Sequence, residues 1–473
     1  MLPRIMYLGE SRKKSKLPLV LVVVSLLLLA FFGVGVVSLR AGDPPSIDIS
    51  SNLPAIGNET EISITVREPT RGVVAVRAYF VQNEREIQLM EKQGTVIAAH
   101  EIWKTSDEVV SLNVTVGRKT IPTIKEGTGS IVVYAQPAGT WLNQPAAATK
   151  VLTLPIRLRP PEISVLSRDH FVTQGGSGAV RYRVGSSAVR HGVQAGKWWF
   201  PGYKLPGSDK DEAFAFFAVP YNFEKGEEVR IVATDDVGNE SRQEFLDNLK
   251  IKVSKKDEIK VSDRFMSLVV PKIKAEVPDV PSSGKLVDEY VWINRELRTK
   301  NDDTLVALAK TSTPSFQWNR KFIQMPAKVF ASFADHRTYM YEGQEIDQQY
   351  HLGYDLASTK RAMIPAANSG IVALAEYLGI YGKTVVIDHG FGIMTLYGHM
   401  SDLKVKKGQF VKIGEDIGST GATGLALGDH LHFSVLVHGL PVRPLEWWDG
   451  QWIQNRIGSV LNPELGYENS KSN

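Results

Sequence analysis

The amino-acid sequence predicts a mainly β protein with an N-terminal transmembrane helix, two β-sandwich-like modules, a short helical connector and a C-terminal β domain. Three observations support this fold class: one long uncharged apolar run near the N-terminus, recurrent short β-prone segments separated by turn residues, and one charged interval that breaks the β pattern. The 473 residues are enough for about two to four domains with buried cores.

The apolar run extends from Leu17 to Leu39 and contains no charged residue. Roughly 20 apolar residues are needed to span a bilayer, and the run reaches that length. Four basic residues between Arg12 and Lys16 precede it, which predicts that the N-terminus stays in the cytoplasm. A cleaved signal peptide is the alternative, but its apolar core usually has only about 7–15 residues. We therefore expect residues 1–16 to be a cytoplasmic basic tail, the run itself to be an uncleaved single-pass anchor, and the rest of the chain to be extracytoplasmic.

Two β modules are predicted to follow the anchor, over residues 42–158 and 160–255. Each contains short β-prone runs, such as Glu61–Val66, separated by turn residues. Strands at this spacing without helical periodicity are typical of sandwiches. The Arg159-Pro160-Pro161 triplet marks the boundary between the modules. The second module resembles bacterial immunoglobulin-like modules in its Ala233–Asn239 ending.

Residues 256–320 interrupt the β pattern and are predicted to form a helical connector. Leu286–Leu297 and Asp303–Lys310 are typical of short helices, and Asp302 is a candidate N-cap of the second one. The connector also contains a proline-rich stretch, Val277–Gly284, which indicates a hinge-like interruption.

Charge and cysteine content exclude several classes of function. A formal net charge of +4 is small for this length and gives no support to nucleic-acid binding, which requires a dense basic face. The chain contains no cysteine, which excludes disulfides, cysteine nucleophiles and thiolate zinc sites. Any metal site must therefore be built from histidine and carboxylate side chains.

The β pattern resumes over residues 321–450, before a predicted C-terminal tail over 451–473. Seven of the ten histidines lie between His336 and His438, and this concentration indicates a functional site. His336, His389 and His438 each stand alone in the sequence, and a lone histidine on a strand is more often a packing residue than a ligand.

Three short clusters carry the other four histidines: His351-Leu-Gly-Tyr-Asp355, Tyr397-Gly-His399 and His430-Leu-His432. Strand alternation places His430 and His432 on one face, so that both can reach one site. In the first cluster Gly353 argues against a helix interior, and a turn would still bring His351 and Asp355 together. Two histidines and one carboxylate are what a zinc site with an open fourth position requires.

The segment from about Lys321 to Trp448 resembles the lysostaphin/LytM-type zinc metallopeptidases, which cut the peptide part of bacterial peptidoglycan. The resemblance rests on three segments in the family's order: His351-Leu-Gly-Tyr-Asp-Leu-Ala357, Tyr397-Gly-His-Met-Ser401 and His430-Leu-His-Phe433. It implies an antiparallel-β peptidase domain over residues 321–450. It says nothing about the two β modules.

The resemblance also implies roles for the clustered residues. His351, Asp355 and His432 would ligate Zn²⁺, and His399 and His430 would be the catalytic pair. Zinc would polarise the scissile carbonyl and acidify a water, while one histidine acts as general base and its partner stabilises the oxyanion. The implied substrate is the stem-peptide cross-link of peptidoglycan. The predicted topology places the domain on the periplasmic or extracytoplasmic side of the inner (cytoplasmic) membrane, and the sequence does not say whether the host is Gram-negative or Gram-positive.

Two other functions stay open from the sequence alone. One is a non-enzymatic activator or scaffold of other cell-wall hydrolases, and the other is an envelope protein that binds glycan or a protein partner through its β modules. Because none of the five clustered positions is lost, the sequence favours the enzyme over the activator. A further hypothesis is that connector residues 286–316 cover the zinc cleft and regulate access to it.

Overall fold

The computed structural model describes residues 17–208 and 211–461 and confirms the mainly β fold class. The chain divides into two compact units. One extends to Arg159 and takes in Asp236–Asn239, and the other comprises Pro160–Asp235 and the chain from Glu240 onward. The predicted cytoplasmic tail over 1–16 and the C-terminal residues from 462 lie outside the described residues.

The N-terminal apolar run forms one α-helix, Leu17–Leu39, as predicted. Leu19–Leu39 has a mean hydropathy of 3.0 and is long enough to cross a membrane. The leucine, valine and phenylalanine side chains from Leu19 to Val36 are exposed, whereas Val37 is half-buried and Ser38 in the last turn is buried. The helix thus leaves an apolar surface uncovered until it reaches the β module that follows. Its role as an uncleaved anchor stays a prediction.

The first β module is a sandwich of two antiparallel sheets around its own core. Strict burial alternation in Thr60–Arg67 shows why the sequence pattern predicted a half-buried strand. One sheet has the order Ser46–Ser51, Thr60–Arg67, Val109–Val116. The other has the order Arg85–Gln93, Val73–Gln82, Gly127–Pro137, Ala148–Ile156.

The second β module likewise has two sheets, and each of them has four strands. The first sheet has the order Tyr203–Lys204, Glu212–Ala218, Ser177–Val184, Ile163–Val165. The second has the order Trp198–Pro201, Ala188–Ala195, Val229–Asp235, Glu240–Glu244. A short parallel pair, Phe171–Thr173 with Asn248–Lys250, lies beside them.

The connector differs from its prediction in three respects. A strand, Lys256–Lys260, and a helix, Asp263–Glu276, were not predicted, and the helix contains Pro271, a residue that argues against a helix interior. Ser262 caps this helix through its side chain. The third difference is that helical segments Leu286–Trp292, Ile293–Leu297 and Arg298–Ala309 follow one another without a gap.

Asp302 is therefore not an N-cap, because it lies inside a helix that began at Leu286. The buried face of this helix includes Tyr290, Leu297 and Leu305. Asn301 lies on the same face, and as a polar residue it interrupts the helical spacing of apolar residues in the sequence. Asn301 is buried because its Oδ1 accepts a hydrogen bond from the backbone of Ile380 (2.9 Å). The sequence therefore predicted two separate helices, because the buried hydrogen-bond partner of Asn301 is not evident from the sequence.

The C-terminal domain is built on an antiparallel sheet, as the family resemblance implied. Its order is Lys328–Ala331, Tyr354–Ala357, Leu431–Val437, Ile393–Met400, Lys383–Gly390, Gly370–Tyr377, Phe410–Val411, with Leu440–Val442 also paired to Leu431–Val437. A second sheet has the order Lys256–Lys260, Asp335–Tyr341, Gln344–His351, and a third has the order Met363–Pro365, Asp416–Ser419, Asp402–Leu403. The connector strand therefore belongs to the same sheet as the strand that ends at His351.

The second β module and the C-terminal domain share one hydrophobic core. Phe214 of the module lies 5.0 Å (ring centroids) from Phe391 and 6.0 Å from Phe316. The chain after Trp448 closes this core through Gly450–Ile453, Gln454–Gly458 and Ser459–Leu461, all helical. The prediction of a tail from residue 451 is therefore wrong for 451–461, because Ile453, Ile457 and Val460 are apolar at helical spacing and are buried.

Glu446 in helix Pro444–Trp448 contacts Ser177 of the second β module, and we expect this contact to make stability depend on pH. Its Oε2 accepts hydrogen bonds from the backbone N (3.0 Å) and the hydroxyl (3.4 Å) of Ser177, and burial raises the pKa of Glu446 to about 7. A raised folded-state pKa contributes stability below the ordinary value of 4.5, and that contribution is lost as pH rises through 7. Glu446→Gln removes the titrating group, so its unfolding free energy should not show this loss. As the pH is raised from acidic to mildly alkaline, we expect the unfolding free energy of the variant to rise relative to that of wild type by on the order of 1–3 kcal/mol. Urea denaturation at several pH values checks this, and a parallel pH dependence of the two proteins would contradict it.

Candidate metal centre

Strand pairing brings the three predicted ligands together. Tyr354–Ala357 pairs antiparallel with Leu431–Val437, and this register sets Asp355 directly opposite His432. His351 ends the preceding strand, and a tight connection through Gly353 returns the chain to Asp355. A Cβ on Gly353 would lie 2.5 Å from His432 Nε2, so a glycine is required for this close approach.

The donor atoms of these three residues converge on one point. Asp355 Oδ1 lies 2.9 Å from His351 Nε2 and 3.0 Å from His432 Nδ1, and the two nitrogens are 3.2 Å apart. Three donors bound tetrahedrally at about 2.0–2.1 Å would be separated by about 3.3 Å. All three residues are buried. The donor set and its spacing therefore fit a single Zn²⁺ ion.

Outer hydrogen bonds fix which nitrogen of each histidine faces the centre. The backbone carbonyl of Ser332 can only accept, so the His351 Nδ1 at 2.8 Å carries the hydrogen and Nε2 carries the lone pair. His432 Nε2 lies 3.1 Å from Ser434 Oγ, whose own hydroxyl donates to Leu352 O (2.7 Å). Ser434 Oγ therefore accepts a hydrogen bond from His432 Nε2, and Nδ1 is the nitrogen of His432 that is available as a metal ligand. Such contacts orient metal-binding histidines in general.

His399 and His430 form a pair beside this centre, with ring centroids 4.9 Å apart. His399 Nδ1 donates to Thr423 O (2.9 Å), and His430 Nδ1 donates to Gly428 O (2.8 Å). Each ring therefore keeps a lone pair on Nε2, and His430 Nε2 lies 3.6 Å from Asp355 Oδ1. His399 has a φ of 61°, a left-handed conformation that is rare for a residue with a side chain.

Burial sets the charge states of the site. Burial opposes ionisation of Asp355, but His351 and His432, when they carry a proton on the nitrogen that faces it, outweigh burial and hold the pKa of Asp355 well below its usual range. Burial lowers the pKa of His432 to about 4. Burial, with the neighbouring His430 and His432, lowers the pKa of His399 to about 3. At neutral pH Asp355 is therefore ionised and the imidazoles of His399 and His432 are neutral. Metal ligands must be deprotonated in this way to bind a cation.

Arg337 is a site residue that sequence reasoning missed. Its Nη2 lies 3.5 Å from Asp355 Oδ2, and its side chain is largely buried. Strand Asp335–Tyr341 pairs with Gln344–His351 so that Asp335 opposes His351, and alternation then sets Arg337 on the same face. The alternation of this strand is visible in the sequence. The pairing of Asp335 with His351, which directs Arg337 to the site, is visible only in the structure.

A cavity of about 600 Å³ opens onto the five predicted residues. The connector contributes a large part of its wall, through Asp257, Ile259, Lys260, Phe265, Tyr290 and Arg298. Tyr290, Ile293 and Leu305 of the same connector are buried in a core shared with the main sheet. Deleting residues 286–316 would therefore remove core residues together with any cover, so it does not test the gating hypothesis by itself.

The three lone histidines lie outside this group. His389 is fully buried, with Nδ1 donating to Ser369 O (2.7 Å) and Nε2 2.8 Å from Thr395 Oγ1. His336 packs on Tyr350, and His438 lies 6.0 Å (ring centroids) from Tyr203. The structure thus brings together His351, Asp355, His399, His430 and His432 and leaves the other three apart.

Comparison with known proteins gives matches to the C-terminal domain. A model of peptidase family M23 matches residues 349–444. The DD-carboxypeptidase/endopeptidase Mpg of Neisseria meningitidis is 37% identical over 95 residues, which cover 20% of this chain and 22% of that protein. The peptidoglycan DD-endopeptidase ShyA of Vibrio cholerae is 29% identical over 163 residues, which cover 34% of this chain and 35% of that protein. The chain thus spans about a fifth to a third of the length of these curated relatives.

Among solved structures, the catalytic domain of lysostaphin from Staphylococcus simulans is similar, with 25% identity and a TM-score of 0.23. The alignment covers 26% of this chain and 92% of that domain.

Proposed function

Because residues 349–444 form a peptidase family M23 domain, we propose that this chain is a membrane-anchored zinc metalloendopeptidase that hydrolyses peptide cross-links of bacterial peptidoglycan. The observation that carries the proposal is the convergence of His351 Nε2, Asp355 Oδ1 and His432 Nδ1 within 3.2 Å of one another. Similarity to proteins named as peptidoglycan DD-endopeptidases supports the choice of substrate.

His351, Asp355 and His432 would hold the zinc ion, with Ser332 and Ser434 keeping the two imidazoles in the required tautomers. When bound, zinc supplies Lewis-acid chemistry, polarising a carbonyl and lowering the pKa of a water towards about 7. Arg337 contacts the outer oxygen of Asp355 and so orients that carboxylate.

His399 and His430 would handle the proton and the developing charge. Each ring is held at Nδ1 by a backbone carbonyl, so each can take a proton at Nε2 without losing its orientation. One ring accepts the proton of the attacking water and returns it to the leaving amine. The other ring would first take a proton from solvent at Nε2, and from that atom it would then donate a hydrogen bond to the oxyanion of the tetrahedral intermediate.

The helix Leu17–Leu39 would anchor the chain in the inner membrane with its N-terminus in the cytoplasm. Basic residues precede the helix and the C-terminal domain follows it, so by the positive-inside rule that domain would lie on the periplasmic or extracytoplasmic side, where its substrate is.

The test is release of cross-linked muropeptides from purified sacculi by the full chain in detergent micelles. We expect release that is lost with a chelator, restored by zinc and lost in His430→Ala, and the masses of the products would identify the cleaved bond. A folded, zinc-loaded protein that releases no product would contradict the proposal and favour the activator function.

Replacing Ser434 tests the metal site independently of turnover. Ser434→Ala removes the acceptor that holds His432 Nε2, and loss of such an outer contact typically costs about 10- to 100-fold in metal affinity. We expect that loss in chelator-competition titrations with zinc. Ser434→Thr keeps the hydroxyl and is the matched control, and equal zinc affinity in Ser434→Ala and wild type would contradict the assignment of His432 Nδ1 as a ligand.

A further inference from the structure

Two loops of the first β module expose large apolar side chains. Ile102 and Trp103 on one loop are 56% and 74% exposed, and Trp141 and Leu142 on another are 75% and 55% exposed. Tryptophan is on average highly buried in soluble proteins, so two indoles exposed to this degree indicate a surface that contacts something else. We call these four side chains the apolar rim.

Both loops are hydrogen-bonded to the end of the N-terminal helix. The guanidinium of Arg40 donates to the carbonyls of Glu101 (2.8 Å) and Lys104 (2.6 Å), which flank Ile102 and Trp103. On the other loop, Thr140 Oγ1 donates to Ser38 O, and Ala138 O accepts from Gly42 N (2.7 Å). The apolar rim therefore lies at the level where the chain leaves the helix.

Arg71 fixes this arrangement from the inside. Its Nη1 donates to Arg40 O (2.9 Å) and to Gly139 O (3.1 Å), and its Nε donates to Ile97 O (2.9 Å). One buried guanidinium thus joins the helix exit to both loops. The rim is therefore held in place by a network of hydrogen bonds within the first β module and the helix exit.

We propose that Ile102, Trp103, Trp141 and Leu142 insert into the interfacial layer of the bilayer that the helix crosses, and so seat the first β module on the membrane surface. The inference rests on the proposed anchoring of Leu17–Leu39. Leu39 ends the apolar run, so the headgroup region lies beside residues 38–42, the residues to which both loops are bonded. Indole rings favour this layer because one end is apolar and the N–H remains hydrated.

A lipid surface is favoured over a protein partner because the helix brings the bilayer to this position in every copy of the chain. Insertion of the apolar rim into the bilayer would also orient the first β module relative to the membrane surface. Strand Val73–Gln82 starts two residues after Arg71 and carries the chain about 30 Å away from the rim. Lys125 lies at that far end, where its carbonyl accepts from Gln82 Nε2 (2.8 Å).

The absence of cysteine allows a clean labelling experiment. Trp103→Cys, Trp141→Cys and the control Lys125→Cys are each made in the full chain, labelled with a nitrobenzoxadiazole fluorophore and reconstituted into vesicles of phosphatidylethanolamine and phosphatidylglycerol. We expect blue-shifted emission and quenching by doxyl-labelled lipids at positions 103 and 141. At position 125 we expect aqueous emission and no lipid quenching. As a second measurement with native side chains, quenching of intrinsic fluorescence by brominated lipids is expected to fall in Trp103→Phe/Trp141→Phe.

Extraction with alkaline carbonate separates this inference from the anchoring on which it rests. If the chain stays in the membrane but positions 103 and 141 behave like position 125, the anchor stands and the seating is wrong. If carbonate releases the chain from the vesicles, the anchor fails and the seating fails with it.

Discussion

Replacing His399 by alanine is expected to lower kcat/KM for muropeptide cleavage by about 10²- to 10⁴-fold, the usual contribution of a positioned general acid–base group. The three proposed ligands contact one another, Ser332 and Ser434, and none of these hydrogen bonds involves His399. Zinc content should therefore stay at the wild-type level in His399→Ala. Kinetics on a purified cross-linked muropeptide, together with metal analysis of the same sample, measures both quantities.

Two further variants make this result specific. His336→Ala removes a histidine of the same domain that packs on Tyr350 outside the site, and it should leave turnover unchanged. His351→Ala removes a proposed ligand, and it should lose both zinc and activity. Turnover that survives in His399→Ala with full zinc content would remove His399 from the mechanism and leave His430 as the acid–base group.

The sequence identified the residues of the candidate site because their chemistry is local. His351 and Asp355 belong to one short segment, and His430 and His432 belong to another, so spacing alone could associate them. The structure adds information that residue spacing cannot give. It shows the tautomers of His351, His399 and His430, which are set by the backbone carbonyl groups of Ser332, Thr423 and Gly428, respectively. A backbone carbonyl has no signature in the sequence, so these contacts required the fold.

The unpredicted features of the fold involve partners that are distant in sequence. Strand Glu212–Ala218 is apolar at the six consecutive positions from Ala213 onward, and this pattern indicates a strand buried on both faces. It does not say that one covering element would come from the domain that starts a hundred residues later. Asn301 is similar, since a buried asparagine opposite the turn Gly379–Tyr381 looks like a break in a helical stripe until its partner is known.

The shared core leads to the second prediction, which concerns stability. Trp447 is fully buried, lies 5.2 Å (ring centroids) from Phe322 and 5.8 Å from Trp318, and donates from Nε1 to Ser177 Oγ (3.1 Å). Truncating a buried tryptophan removes its transfer free energy and leaves a cavity. We expect Trp447→Ala to lower the free energy of unfolding by about 3–5 kcal/mol. Leu445→Ala, at an exposed position of the same helix, is the matched control and should change it by less than about 0.5 kcal/mol.

The regions of the chain that Trp447→Ala destabilises distinguish a shared core from two independent domains. Phe214 and Tyr203 of the second β module both contact Phe391 of the C-terminal domain (5.0 Å each, ring centroids), so neither part can lose its packing without exposing the other. Proteolysis and hydrogen exchange during urea denaturation should therefore show residues 160–255 and 321–461 opening in one transition, and Trp447→Ala should move that transition as a whole. Persistent protection of residues 160–255 after the C-terminal domain has opened would mean that the module is stable alone. Single-transition behaviour would mean that the second β module and the C-terminal domain form one folding unit. Only the first module would then separate this unit from the N-terminal helix along the chain.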